Sequence, residues 1–180
     1  METTPADRAR WAVNQHVREV AELLEGDAVR VERPSLFGPD HAPLPDVDPL
    51  AGVRAALFVS RAATGQMREY AEQARGNGVS WRQLGEALAL AKDAERHDTP
   101  LDEAAWLFVV EGIRPGQDPP PHRTGHPTSS RWTCNTCGER ITDRGPFEGG
   151  HPDNREEGHA TSCTRHRAAL AAYEQELSTW

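Results

Sequence analysis

The sequence predicts a mainly α-helical protein with a small C-terminal module of a different make. Two observations carry the helical part. Apolar residues recur at helical spacing as far as about residue 113, and Thr, Ser, Asp and Pro stand where helices begin. The third observation sets the C-terminus apart. Residues 131–180 are too polar to fold on an apolar core alone, yet they hold all three cysteines. The expected organisation is a helical domain over 1–113, a Pro-rich linker over 114–130 and a module over 131–180 that ends in a helix.

Thr4-Pro5-Ala6-Asp7 reads as a helix start: Thr4 can cap, Pro5 suits the first helical position, and Asp7 complements the dipole. Val13, Val17, Val20 and Leu24 then form one apolar stripe, and Gly26 closes the helix. Such a stripe packs inside the protein or forms the seam of a homodimer. Pro34, Pro39, Pro43, Pro45 and Pro49 make 33–49 an extended loop without regular structure. Asp48-Pro49 starts the next helix, with Leu50, Val53, Leu57, Thr64, Met67, Ala71 and Ala74 as its expected buried stripe. Gly65 is where that helix would split, and Gly76-Asn77-Gly78 closes it.

Ser80-Trp81-Arg82-Gln83 is a capping box, and Trp81, Leu84, Leu88 and Leu90 supply the buried side of a short helix and its turn. Thr99-Pro100-Leu101-Asp102 opens a further helix. Its run Ala104–Val110 is the most apolar in the chain and is expected at the centre of the helical core, ending at Gly112 and Pro115. The segment 114–130 contains Pro119-Pro120-Pro121 and reads as a semi-rigid linker. His16, and the linker's His122 and His126, are read as ordinary solvated or satisfied side chains.

Charge restricts the partners. The chain carries −8 overall, but the block 51–92 is net positive while its neighbours are acidic. Arg54, Arg61, Arg68, Arg75 and Arg82 recur every seven residues, so on a continuous helix the first four form a slowly drifting line. With Lys92 they are the candidate phosphate contacts, and DNA is the anionic partner they would suit. Nineteen of the 20 basic residues are Arg, as in proteins of high-GC bacterial genomes. No apolar run is long enough to span a membrane. The N-terminus does not read as a leader peptide. Three cysteines, two of them in C-x-x-C, suit reduced thiols on a metal, and a cytoplasmic location follows.

Residues 78–97 resemble the helix-turn-helix modules of bacterial DNA-binding proteins. Leu84, small Gly85, Leu88, a turn and Leu90 carry the resemblance. It implies that two helices cross closely at Gly85 and that Ala91–His97 enters a major groove. The chain departs from that family at Ala89, where the turn usually has Gly, and at Glu95 and Asp98, where apolar residues are usual.

Cys134-Asn135-Thr136-Cys137-Gly138 lets two thiolates grip one ion from a tight turn. A structural Zn²⁺ takes four ligands, so one Cys and one His come from downstream. Cys163 is common to every choice, and the His is His159 or, as the alternative, His166. His151 is a weaker candidate. His159 and Cys163, four apart, would share one face of a helical turn, while His166 would lie in a last helix packing Leu170, Tyr173 and Leu177. Phe147 and Ile141 are the only large apolar groups between Cys137 and Cys163, so the metal must supply what the core lacks. Over 132–177 the pattern resembles treble-clef and related zinc modules. That resemblance implies metal binding and leaves function open, because the scaffold serves DNA binding, protein docking and nucleases alike.

The leading expectation is a zinc-containing accessory or transcription-regulatory protein that contacts DNA through its helical domain. The alternatives are a protein-interaction adaptor with a structural zinc and an HNH-like nuclease using His151, Asp153 and Asn154. No nucleophile elbow, P-loop or dinucleotide fingerprint is present, so catalysis is not the first expectation.

Overall fold

The computed structural model describes residues 4–26, 30–33, 44–118, 128–146 and 150–178. The expectations on Pro34, Pro39, Pro43, Pro119–Pro121, His122, His126 and Phe147 lie outside the described residues. The fold is mainly α, and its helices are α1 (Pro5–Glu25), α2 (Pro49–Gly76), α3 (Trp81–Ala87), α4 (Ala91–Arg96), α5 (Leu101–Trp106), α6 (Pro152–Arg155) and α7 (Thr164–Leu177). Its strands are β1 (Arg30–Arg33), β2 (Leu44–Val47), β3 (Ser130–Thr133), β4 (Arg140–Asp143) and β5 (Glu156–Glu157).

The chain forms two compact units, residues 1–65 and 66–180, dividing at Gly65 and not in the Pro-rich segment 114–130. Residues 66–113 therefore belong to the same unit as the cysteine-bearing segment. α2 contributes to both units and runs unbroken through Gly65, where the sequence suggested a split.

In the first unit, Thr4 and Asp7 form a reciprocal capping box at the start of α1, and Gly26 ends it. Asp48 caps α2 by accepting from the Leu50 and Ala51 amides, both at 3.0 Å. The core is Val20 and Ala21 of α1 against Ala51 and Ala55 of α2. Over the first turns the expected α2 stripe is thus one position out of phase, whereas Ala71 further along is buried as expected. Leu50, Val53 and Leu57 are exposed, as are Val13 and Leu24 of α1. The Ala side permits a close approach of the backbones, which the larger residues do not. β1 and β2 pair antiparallel with Arg30 opposite Val47. Residues 44–47 are therefore a strand where an irregular loop was expected. Pro45 is tolerated because a two-stranded sheet has only edges.

In the second unit, Ser80 and Gln83 cap α3 as the sequence predicts. The core gathers Ala71, Trp81, Leu90, Ala105, Trp106, Val109 and Val110, so the apolar run of α5 does lie at its centre. Trp81 and Trp106 meet edge to face with centroids 4.9 Å apart. α5 continues as a π-helical turn, Leu107–Glu111, closed by Gly112 in the left-handed region. Ala89 takes φ +55°, in the left-handed region that favours glycine. A Cβ on Gly85 would meet the Leu101 side chain at 2.7 Å and its carbonyl at 2.9 Å. The close crossing at Gly85 is thus with α5, not with α4. β3, β4 and β5 form an antiparallel sheet in that order. α7 buries none of its residues, so Leu170, Tyr173 and Leu177 do not pack a core as expected.

Candidate metal centre

Three short elements deliver four ligand atoms to one point. The turn after β3 supplies Cys134 and Cys137. It is closed by Gly138 donating to the Cys134 carbonyl at 2.7 Å and by Cys134 donating to the Glu139 carbonyl at 2.9 Å. Gly138 has φ +76°, which relieves the backbone where the turn reverses. The loop after β5 supplies His159, and Cys163 stands at the N-cap of α7. His159 and Cys163 therefore do not share a helix face, as the sequence suggested; a turn with Cys163 donating to the Ala160 carbonyl at 2.8 Å brings them together instead.

The ligand atoms of Cys134, Cys137, His159 and Cys163 lie within 4.8 Å of one another, close enough to hold a metal ion. Cys134 Sγ and Cys163 Sγ are 4.0 Å apart, and Cys137 Sγ and His159 Nδ1 are 3.7 Å apart. A tetrahedral ion with ordinary thiolate and imidazole bond lengths needs ligand–ligand edges of about 3.6–3.8 Å. The donor set thus fits with small adjustments. Cys134 and Cys163 are buried, and Trp132 and Ile141 pack against them. Burial pushes the Cys134 thiol up, but the amides of Cys137 and Thr136 and the neighbouring thiols more than offset it, so the group sits below its ordinary value. Burial and the adjacent thiols push Cys163 up. Cys134 is therefore the readier thiolate.

The second layer is as well built as the first. His159 turns its other nitrogen, Nε2, to Glu156 Oε2 at 3.0 Å, which fixes the ring with Nδ1 facing the thiols. Burial pushes the Glu156 carboxyl up, but the Arg75 charge, the His159 hydrogen bond and the Arg165 charge hold it below its ordinary value. Arg75 is buried. It bonds Glu156 through Nη2, Asp143 Oδ2 through Nε at 3.0 Å and the Val79 carbonyl through Nη1 at 2.7 Å. Its guanidinium also lies over the rings of Trp81 and Trp132, 5.4 Å from each centroid. Arg165 donates to the Arg75 carbonyl at 2.6 Å, and Asn135 donates to the Gly76 carbonyl at 3.1 Å. The C-terminal end of α2 is thereby capped by the cysteine-bearing segment.

The remaining sequence candidates lie elsewhere. His166 stacks on His159 at 4.6 Å and bonds Asp153 through Nε2 at 2.6 Å, outside the ligand group. His151 caps α6 and meets Tyr173 edge to face, also outside it. Arg54 bonds Glu25, with Nη2 to Oε2 at 2.7 Å, and Arg68 pairs with Glu72 at 3.2 Å. Arg82 lies 3.9 Å from Glu86. Arg61 and Lys92 are exposed. Of the proposed phosphate line, Arg75 is the clear correction: a buried guanidinium with three partners cannot reach a phosphate. Glu156 and Asp143 were missed. Glu156 stands three residues before His159, the one signal that could have marked it as the carboxylate behind the imidazole.

Comparison with known proteins finds no matching family model, no matching curated protein and no matching solved structure.

Proposed function

We propose that this is a zinc-containing accessory protein whose zinc is structural and whose work is binding another protein. The observation that carries the reading is the Cys₃His set of Cys134, Cys137, His159 and Cys163, with His159 braced by Glu156. Three thiolates favour zinc among the common divalent ions, and four protein ligands leave no open position for a substrate. Thiol ligands also suit a reducing compartment, so we place the protein in the cytoplasm. Among the described residues no helix is long and apolar enough to cross a membrane.

The adaptor reading is preferred to DNA binding because the arginine line is largely spent on acids: Arg75 is buried, and Arg54, Arg68 and Arg82 pair with Glu25, Glu72 and Glu86. Asp93, whose neighbour Arg96 pairs with it at 3.3 Å, stands on α4 where phosphate would be approached. A second reading, a helix-turn-helix module, keeps support from the left-handed Ala89 in the turn between α3 and α4 and from exposed Lys92.

Native mass spectrometry with metal analysis tests the first reading. One zinc per chain, lost in Cys137→Ser, is the expected result; stoichiometric absence of zinc overturns it. Duplex binding at low ionic strength separates the two readings. Binding that falls steeply with salt and weakens in Arg82→Ala/Lys92→Ala would replace the adaptor by the DNA-binding module.

A further inference from the structure

A cleft of about 620 Å³ opens between α6 and one face of α7. Its size is that of a small-molecule site. One end is apolar, lined by Ala169, Ala172, Tyr173 and Leu177, which recur at helical spacing along α7. The other end is cationic. Two of its three cations are already satisfied by the fold. Arg75 is held by Asp143 and Glu156, and Arg165 by Glu156 and the Arg75 carbonyl. His166, also at this end, is bonded to Asp153.

Arg155 is different. Its backbone is pinned on both sides, donating to the His151 carbonyl and accepting from the Arg144 amide at 2.8 Å. Its side chain lines this cleft and the smaller adjoining cavity of about 210 Å³. Among the described residues its Nε is the one buried side-chain nitrogen or oxygen without a hydrogen-bond partner. Buried polar atoms in folded proteins are nearly always paired, and an orphaned charged donor is costly. A guanidinium also matches an oxyanion through two parallel donors.

We propose that the cleft binds a small organic oxyanion carrying an apolar or aromatic body, with Arg155 as its anchor. The anionic head meets the Arg155 guanidinium, and the body lies along Ala169, Ala172 and Tyr173. Glu156 and Glu176, also on the cleft wall, weaken the site for heads of higher charge such as di- and triphosphates. Carboxylates and phosphate monoesters share this head chemistry, and the site is independent of what the zinc module docks.

The test uses the full zinc-loaded chain, titrated with phenylacetate, phenyl phosphate, inorganic phosphate and the neutral phenethyl alcohol, and followed by NMR of the Arg155 Nε–H and the Tyr173 ring. The expected result is saturable binding of phenylacetate or phenyl phosphate that shifts both signals, with the tighter of the two naming the head group. Phenethyl alcohol and inorganic phosphate should bind at least about tenfold more weakly, the loss expected for one charge-assisted hydrogen bond or for the apolar contact. Arg155→Gln should weaken the aryl anion by a similar factor while zinc content stays at its wild-type value. The wild-type Arg155 resonance gives the answer even if that variant misfolds. The proposal is overturned if no probe saturates, if inorganic phosphate binds as well as the aryl anions, or if the Arg155 signal does not move when they bind.

Discussion

Asp143 uses both carboxylate oxygens to receive four donors. Oδ2 accepts from Arg75 Nε at 3.0 Å, Trp81 Nε1 at 3.0 Å and Trp132 Nε1 at 3.1 Å, and Oδ1 accepts from the Gly145 amide at 2.9 Å. The side chain is 1% exposed, so water cannot replace a lost acceptor. Removing it leaves the buried Arg75 Nε and two indole N–H groups without their acceptor. Asp143→Ala is therefore expected to lower the unfolding free energy of the zinc-loaded protein by about 3–5 kcal/mol, read by urea denaturation. Arg68→Ala breaks a half-exposed pair with Glu72 and a long hydrogen bond, 3.5 Å, to the Ser129 carbonyl, and should cost no more than about 1 kcal/mol. Equal losses in the two variants would contradict this account. The same residues show where the sequence stops speaking. Arg75 is one of five arginines at a seven-residue repeat, and nothing local separates it from Arg68. What buries it is Asp143, 68 positions on, and Glu156, 81 positions on. Cys134, Cys137 and Cys163 were legible as candidate ligands because residue type and a short spacing suffice, whereas His159 was favoured over His166 on a shared helix face that the structure does not have. The ion pairs behind the ligands were not legible, because a pair between distant positions leaves no local pattern.

At the scale of elements, starts and stops were legible, and so was the apolar run of α5, but the buried side at the start of α2 was not. Capping chemistry is local, so Thr4, Asp48, Ser80, Gly26 and Gly76 mark the helix ends where the sequence places them. Which side of α2 is buried depends on the partner helix. Hydrophobicity gives weight to Leu50, Val53 and Leu57, whereas the close pairing with α1 selects Ala51 and Ala55. Ala55 is 0% exposed and Leu57 is 51% exposed. Ala55→Leu should therefore destabilise by about 1–3 kcal/mol through overpacking. Leu57→Ala should stay within about 0.5 kcal/mol. Thermal unfolding followed by circular dichroism orders the two, and the reverse order would restore the stripe expected from hydrophobicity. The cap of α1 has a pH signature. The hydrogen bonds from the Thr4 side chain and amide hold the Asp7 carboxyl below its ordinary value, outweighing burial. A lowered carboxyl lends its support above the unfolded-state pKa and loses it as pH falls through the folded-state pKa. Thr4→Ala should move the Asp7 carboxyl titration, followed by NMR, back up towards the ordinary aspartate range. An unmoved titration would mean that the capping box does not persist in solution.

Across residues 66–180 the candidate metal site and the helical core are joined by shared hydrogen-bonded residues. Trp81 belongs to the helical core, yet its indole N–H is satisfied by Asp143 of β4. Arg75 closes α2, yet its charge is balanced by Asp143 and by Glu156, the carboxylate behind His159. A metal ion that orders His159 and the three thiols therefore also fixes the acceptors on which α2 and α3 depend. Sheet, α6 and α7 together offer Trp132 and Ile141 as their large buried apolar side chains, too few to offset the ordering entropy of some 50 residues. Structural zinc in isolated fingers supplies roughly 10–16 kcal/mol of apparent binding energy, enough to change that balance. Chelation of the zinc-loaded protein is accordingly expected to remove amide-exchange protection from Trp132 and Ile141. It should also lower the unfolding midpoint of the α3–α5 core, reported by exchange at the Trp81 indole. Re-addition of one equivalent of zinc should restore both. If the amides of Trp132 and Ile141 stay protected after the metal is gone, the sheet has a source of order other than the ion. If they open while the Trp81 indole stays protected, the chain Arg75–Asp143–Glu156 does not couple the two halves of the unit.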